Sequence, residues 1–312
     1  MRSGAGLKKR GVCLALTVLL CMWAGWNVQA AERTGILIGI RWVETEEPEI
    51  QAREVEVPIL MYHNLTRDPE DPDLSDNTMW EGQFRRQLEL LEENGFETVS
   101  FQELIDFGQR GIALPEKPVC ITFDDGYLST YEIAFPLLQE FEMKATVFPI
   151  GVSMGKNTYK ETEIPIFPHF DWEQAKEMVE SGFISLQSHS YDMHQWIPYE
   201  SPEENRLLRP NLLCHPEETE EAYVQAVTED LTRSREEIQK ATEQEVTVLA
   251  YPGGAHDSLS EELVQSLGFQ CTVTIRPEKA VISPCVPESL YALGRFYVKT
   301  STTEEEFLKW LS

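Results

Sequence analysis

The chain has 312 residues, 26 of them basic and 53 acidic, for a formal net charge of −27. Hydrophobic residues make up 42%, enough for a sizeable core and too many for wholesale disorder. So acidic a chain, with no basic cluster, is neither a nucleic-acid binder nor drawn to anionic membrane.

The N-terminus reads as a separate segment. Arg2, Lys8, Lys9 and Arg10 precede the apolar run GVCLALTVLLCMWAGW, and NVQA then places Val28 and Ala30 where a signal peptidase reads. Residues 1–30 are therefore expected to be a secretory signal, putting the protein outside the cell or at its envelope. The apolar run is short for a membrane span, so membrane attachment follows only if the segment stays uncleaved. Cleavage removes four basic residues and no acidic ones, which leaves 22 against 53 and a net charge of −31. Residues 31–56 are rich in Glu and lack a period, and read as an acidic linker or lead-in.

Beyond it, short apolar runs alternate with amphipathic stretches. VPILMY (57–62) reads as a buried strand. FRRQLELLEENGF is a helix with Phe84, Leu88 and Leu91 on one face, stopped by Asn94 and Gly95. ETVS is a short strand, and SFQE is a capping box that opens the next helix. KPVCITF, KATVFPI, ISLQS, VTVLAY and QCTVTI follow as strands. Between them lie helices in YEIAFPLLQEF, in DWEQAKEMVESGF (capped by Asp171 and Gln174), in the long stretch through Val227, Leu231, Ser234 and Ile238, and in SLSEELVQSLGF (capped by Ser258 and Glu261). This alternation implies a parallel sheet, and seven or eight such units suit a (β/α) barrel spanning residues 57–312. The stretch 199–219 has no period and reads as a surface loop or lid.

In such a barrel the functional groups gather at the carboxyl ends of the strands. His63 follows VPILMY, Asp124 and Asp125 follow VCITF, His189 and His194 follow ISLQS, and YPGG follows VTVLA. A lone histidine is more often structural and a lone Asp more often a helix cap. Four coincidences on one rim favour function. Two imidazoles and one carboxylate form a three-ligand site with open positions, the pattern of a catalytic zinc or similar divalent ion. The second carboxylate is then free to take a proton from water, and His63 is a candidate acid for the leaving group.

Four cysteines remain after export. Their spacing matches no zinc-ligand pattern. Cys120 and Cys271, in apolar runs, are expected as buried thiols. Cys214 and Cys285 lie in loop-like sequence, where export permits a disulfide between them.

TFDDGY followed by HSYDMH and AYPGG resembles the polysaccharide deacetylases, carbohydrate esterase family four. The resemblance covers residues 57–312 and implies a distorted (β/α)7–8 barrel, a divalent metal (zinc, with cobalt or nickel as alternatives) and removal of acetyl groups from a glycan. It implies Asp124 as catalytic base, Asp125, His189 and His194 as metal ligands, and the turn Tyr251–Gly254 as the acetate pocket, with the Gly253 amide as oxyanion donor. Two features depart from the pattern. Ala250 stands where many members have the arginine that holds the base, and the C-terminal segment lacks their histidine. ILMYHNL resembles a permuted branch that includes poly-N-acetylglucosamine deacetylases, which implies His63 as general acid. Arg295 is a candidate for the missing arginine; a purely structural arginine is the other reading. Trp172 and Tyr191 are candidates for a sugar-binding groove; for Trp172, near a helix start, core packing is the commoner fate. The expectation is thus a secreted, monomeric deacetylase of an N-acetylglucosamine polymer. An O-acetyl esterase and a non-catalytic carbohydrate-binding scaffold are the alternatives.

Overall fold

A computed structural model describes residues 50–200 and 207–312. The expected signal segment, and the lead-in up to residue 49, lie outside the described residues. The described residues belong to one unit, Pro48–Ser312.

In chain order the strands and helices are β1 (Val55–Val57), β2 (Ile59–Tyr62), β3 (Asn64–Thr66), β4 (Thr78–Trp80), α1 (Glu81–Glu93), β5 (Glu97–Thr98), α2 (Phe101–Arg110) and β6 (Pro118–Asp125). There follow α3 (Phe135–Glu140), β7 (Ala145–Pro149), α4 (Trp172–Glu180), β8 (Ile184–Leu186), α5 (Glu220–Thr242) and β9 (Val248–Ala250). The chain ends with α6 (Ser258–Ser266), β10 (Cys271–Val273), β11 (Ala280–Ile282), β12 (Phe296–Tyr297) and α7 (Glu304–Leu311).

Strands β12, β2, β6, β7 and β8 pair in that order, every pair parallel. A single parallel bridge, Ser188 to Leu249, carries the order on to β9, which pairs with β10. A second bridge, Val273 to Leu293, returns it to the segment that leads into β12. Seven parallel strands thus follow one another around a ring whose ladder is interrupted at two places. This is the distorted (β/α) barrel that the alternation of elements predicts. Side-chain alternation divides the core into two layers. Ile59, Cys120, Phe148, Val248, Ala250, Cys271 and Val273 form one cluster with Phe101, Leu104 and Phe107 of α2. Leu60, Ile121, Phe123, Val147 and Leu249 face the other cluster, which the remaining helices cover.

The local signals for the helices were mostly sufficient. Ser100 and Glu103 form the capping box of α2, and Asp171 and Gln174 that of α4. Helix α5 buries Val227, Leu231, Ser234 and Ile238 in line, extended by Tyr223 and Thr242. Helix α6 is capped one residue earlier than expected, by Asp257 with Ser260 in place of Ser258 with Glu261. Either pair offers the needed oxygen, and the Asp257 carboxylate reaches the free amide of Ser260 at 2.9 Å. The helix expected through YEIAFPLLQEF begins as a wide turn, Thr130–Ala134, before α3. Pro136 has no N–H to give to a carbonyl four residues back.

The last residues of the expected lead-in are docked on the barrel. Ile50 bridges Ile112, Gln51 N–H donates to the Gly111 carbonyl at 2.9 Å, and β1 pairs antiparallel with β11. Cys120 and Cys271 are buried, and burial pushes both thiols well above their ordinary pKa. Cys214 and Cys285, which export would permit to pair, are both free thiols. Among the described residues, no helix is long and apolar enough to cross a membrane.

Candidate metal centre and cleft

Strand β6 is buried along all but its last residue. Alternation puts Cys120, Thr122 and Asp124 on one face. Thr122 and Asp124 both meet Arg295 there. Asp125 should then point the other way, but its φ of 70° breaks the alternation. The Gly126 N–H closes this turn onto the Asp124 carbonyl at 2.9 Å. A left-handed non-glycine residue costs ~1–3 kcal/mol, so the surroundings must hold it. The Ile150 N–H does so, donating to the Asp125 carbonyl at 3.1 Å. Gly126 itself has a φ of 88°, and a Cβ there would lie 2.9 Å from Pro149 Cβ.

So turned, Asp125 meets the two histidines that follow β8. Its Oδ1 lies 3.6 Å from His189 Nε2 and 3.9 Å from His194 Nε2. One ligand atom from each residue fits within 4.8 Å of the others. His189 Nδ1 donates to the Ala250 carbonyl at 2.7 Å, which fixes the tautomer and leaves Nε2 as a lone pair facing Asp125. Burial lowers the His189 pKa to about 4, so the ring is neutral at neutral pH. Asp125 Oδ1 is buried and has no hydrogen-bond partner. A buried orphan carboxylate oxygen facing two imidazoles is costly alone and satisfied by a cation. The donor set of one carboxylate and two neutral imidazoles therefore fits zinc or a similar divalent ion.

Asp124 sits beside this centre, 3.9 Å from His189 Nε2. Arg295, fully buried, grips it with two nitrogens, each 2.7 Å from a carboxylate oxygen. Arg295 Nε is in turn spent on the Thr274 carbonyl at 2.9 Å. Burial alone would raise the Asp124 pKa; the Arg295 guanidinium overrides it and holds the carboxyl far below the usual range. Of the two readings of Arg295, the geometry places it on Asp124. The position of Ala250, where an arginine was missed, offers only its backbone carbonyl, and gives that to His189.

His63 packs against the Tyr297 ring at 5.0 Å between centroids. It lies within electrostatic reach of both Asp124 and Asp125, and its Nδ1 is buried with no hydrogen-bond partner. Gly253 is exposed, with a φ of 62°, on the turn that follows β9. It does not line the cleft described next.

A cleft of about 620 Å³ opens on Asp125 and His194. Its aromatic wall is Tyr127, Tyr159, Phe167, Trp196 and Tyr199. Phe167 and Trp196 are 42% and 59% exposed. These residues were not singled out by sequence; apart from Tyr127, which follows β6, their signal was aromatic density in the two loops after β7 and β8. Trp172 packs against the core, and Tyr191 lies under the Arg233 guanidinium at 3.6 Å. Neither lines the cleft. His169 does, stacked beside Tyr127, whereas His256 packs on Tyr251.

Comparison with known proteins agrees with this geometry. The polysaccharide deacetylase family profile matches residues 111–272. YxkH of Bacillus subtilis, described as a polysaccharide deacetylase, is 27% identical over 268 residues, 85% of this chain and 77% of its own. The poly-beta-1,6-N-acetyl-D-glucosamine N-deacetylase of Escherichia coli K12 is 28% identical over 234 residues. That match covers 72% of this chain but only 34% of the E. coli protein. The solved structure of IcaB from Ammonifex degensii superposes with a TM-score of 0.64 at 26% identity, covering 84% of this chain and 98% of that one. The chain belongs to the polysaccharide deacetylase family and is a carbohydrate deacetylase.

Proposed function

We propose that this deacetylase is a secreted, metal-dependent enzyme that removes N-acetyl groups from an N-acetylglucosamine polymer. The observation that carries the reading is the juxtaposition of two differently supported carboxylates. Asp125 faces His189 and His194, and Asp124 is clamped by Arg295. The choice of polymer rests on the relatives named as poly-beta-1,6-N-acetyl-D-glucosamine N-deacetylases in E. coli and Staphylococcus aureus.

Asp125, His189 and His194 would hold the cation. When bound, such an ion supplies Lewis acidity, polarising the acetyl carbonyl and making water a stronger acid. Asp124, kept ionised by Arg295, takes a proton from the attacking water. The water oxygen bonds to the acetyl carbon, and the carbon–nitrogen bond then breaks. His63 gives the departing nitrogen its proton, so acetate and a free amine result. The Gly253 amide is the candidate second donor to the oxyanion. Trp196 and Phe167 offer exposed ring faces to the pyranose units on either side.

The test measures acetate release on poly-N-acetylglucosamine, chitooligosaccharides, peptidoglycan and O-acetylated xylan, with metal content on the same sample. The reading expects release from the N-acetylglucosamine polymer, lost on chelation and restored by zinc or cobalt. Release from acetylated xylan alone would make the protein an O-acetyl esterase. Unchanged turnover in Asp124→Asn would remove the assigned base.

A further inference from the structure

His189 and His194 stand five residues apart, a spacing that no regular helix or strand brings to one point. Something outside the loop must set their convergence. Helix α5 does so from behind. Asp230 is the point of contact: its Oδ1 accepts the Tyr191 N–H at 2.8 Å and its Oδ2 the Asp192 N–H at 2.7 Å. These two amides lie between the histidines in the chain. One turn further along α5, the Ser234 hydroxyl pairs with that of Ser188 at 2.8 Å, next to His189. Arg233 covers the Tyr191 ring between them.

The loop needs this hold. Ser190 adopts a φ of 72°, a strained conformation for a non-glycine residue. Successive amides past such a residue converge and form a concave seat for an anion. Asp230 fills that seat from a neighbouring element. Charge-assisted bonds to both amides are stronger than neutral ones, and a carboxylate satisfies two donors at once. Burying a carboxylate to cap two loop amides is a costly way to close an ordinary loop. It is an effective way to fix a loop whose two ends must present ring nitrogens to one ion.

We propose that Asp230 is a positioning residue of the metal centre, fixing the reach of His189 and His194 through the amides of Tyr191 and Asp192. This rests on the metal-dependent reading given above. Outer contacts of this kind typically shift metal affinity ~10–100-fold.

The experiment compares wild type, Asp230→Ala, Asp230→Asn and the control Thr242→Val. Thr242 is in the same helix, where its hydroxyl donates to the Ile238 carbonyl at 2.8 Å and accepts the Gln244 N–H at 3.3 Å, with no bond to the histidine loop. Zinc affinity is measured by chelator competition, melting temperature on the metal-free proteins, and kcat and KM at limiting and saturating zinc. Asp230→Ala is expected to bind zinc at least ~10-fold more weakly than wild type. Asp230→Asn, which keeps one acceptor oxygen, is expected to fall between them. Thr242→Val is expected to keep wild-type zinc affinity whatever its melting temperature. Saturating zinc should recover much of kcat in Asp230→Asn with KM unchanged. Wild-type zinc affinity in folded Asp230→Ala overturns the proposal, and so does an equal loss in Thr242→Val. If Asp230→Ala does not fold, wild-type affinity in Asp230→Asn overturns it in the same way. A wild-type protein that binds no zinc, cobalt or nickel overturns the metal-dependent reading itself.

Discussion

Arg295 holds Asp124 across 171 residues of sequence, with both terminal guanidinium nitrogens 2.7 Å from a carboxylate oxygen. Both side chains are buried to within 3% of full enclosure. A pair of this kind contributes little net stability as a pair, but removing one partner leaves a stranded charge. Arg295→Met is therefore expected to destabilise the fold by ~3–5 kcal/mol, read by urea unfolding at neutral pH. Without its cation, Asp124 keeps the burial effect, the largest influence on it, which pushes its pKa upward against the weaker pull of His189 and His63. The acid limb of the kcat/KM profile should then move to higher pH. A variant with an unshifted acid limb would show that Arg295 does not control the base.

The same depressed pKa has a consequence for the wild type. A carboxyl held lower in the fold than in the unfolded chain contributes stability above its unfolded pKa of about 3.9. That contribution is lost progressively as pH falls from near the unfolded value, and is gone once pH passes the folded value, which lies far lower. Acid unfolding of the wild type below about pH 5 should thus owe part of its slope to Asp124, because the unfolded carboxyl takes up a proton there while the folded one does not. Equilibrium unfolding from about pH 5 to pH 2 should show a steeper loss of stability in the wild type than in Asp124→Asn; parallel slopes contradict the assignment.

Much of the architecture was legible because its signals are local. The capping boxes of α2 and α4 and the buried stripe of α5 are set by residues three or four apart. The residues of the centre were legible too, because each follows an apolar strand. Their supports were not. The Arg295–Asp124 pair and the Asp230 seat join distant segments, and nothing within either segment specifies the other. The aromatic groove was misread for a related reason. Trp172 opens α4 and Trp196 precedes a single helical turn, Ile197–Tyr199, and only tertiary packing sends one to the core and the other to the cleft. The paired acids posed the sharpest problem, since neighbours on a strand diverge. The positive φ of Asp125 resolves it, and no residue type other than glycine announces such a φ in advance.

Asp125 carries the strain of that turn and the orphan oxygen. Asp125→Asn keeps the shape but removes the charge. It is expected to lose zinc affinity by at least ~100-fold, since a carboxylate ligand is replaced by a neutral amide. Because the buried charge disappears with it, the metal-free protein should be no less stable than wild type. Calorimetry on both metal-free proteins, with zinc titration of each, reads the two effects separately. Retained tight binding would place the ion elsewhere.

Trp196 presents an exposed ring to the cleft beside His194. On the proposed reading this wall would hold polymer through apolar ring faces and not touch the reacting bond. Trp196→Ala should therefore raise KM on a long N-acetylglucosamine chain several-fold and leave kcat nearly unchanged. On a monomeric substrate too short to reach the ring, both constants should match wild type. Equal effects on long and short substrates would show that Trp196 shapes the loop rather than touching the glycan.

His63 differs from the other histidines in facing both carboxylates while its Nδ1 has no partner. If it protonates the departing nitrogen, its loss matters only when the leaving group needs a proton. His63→Ala is expected to lower kcat on the N-acetyl polymer by ~10²–10⁴-fold. On 4-nitrophenyl acetate the leaving phenolate departs unprotonated, so the same variant should retain most of its rate. Zinc affinity should stay at the wild-type value, because His63 is outside the Asp125, His189 and His194 cluster. An equal loss on amide and activated ester, at unchanged metal content, would assign His63 to binding or positioning and leave the proton donor to be sought among the cleft residues, with His169 the first to examine.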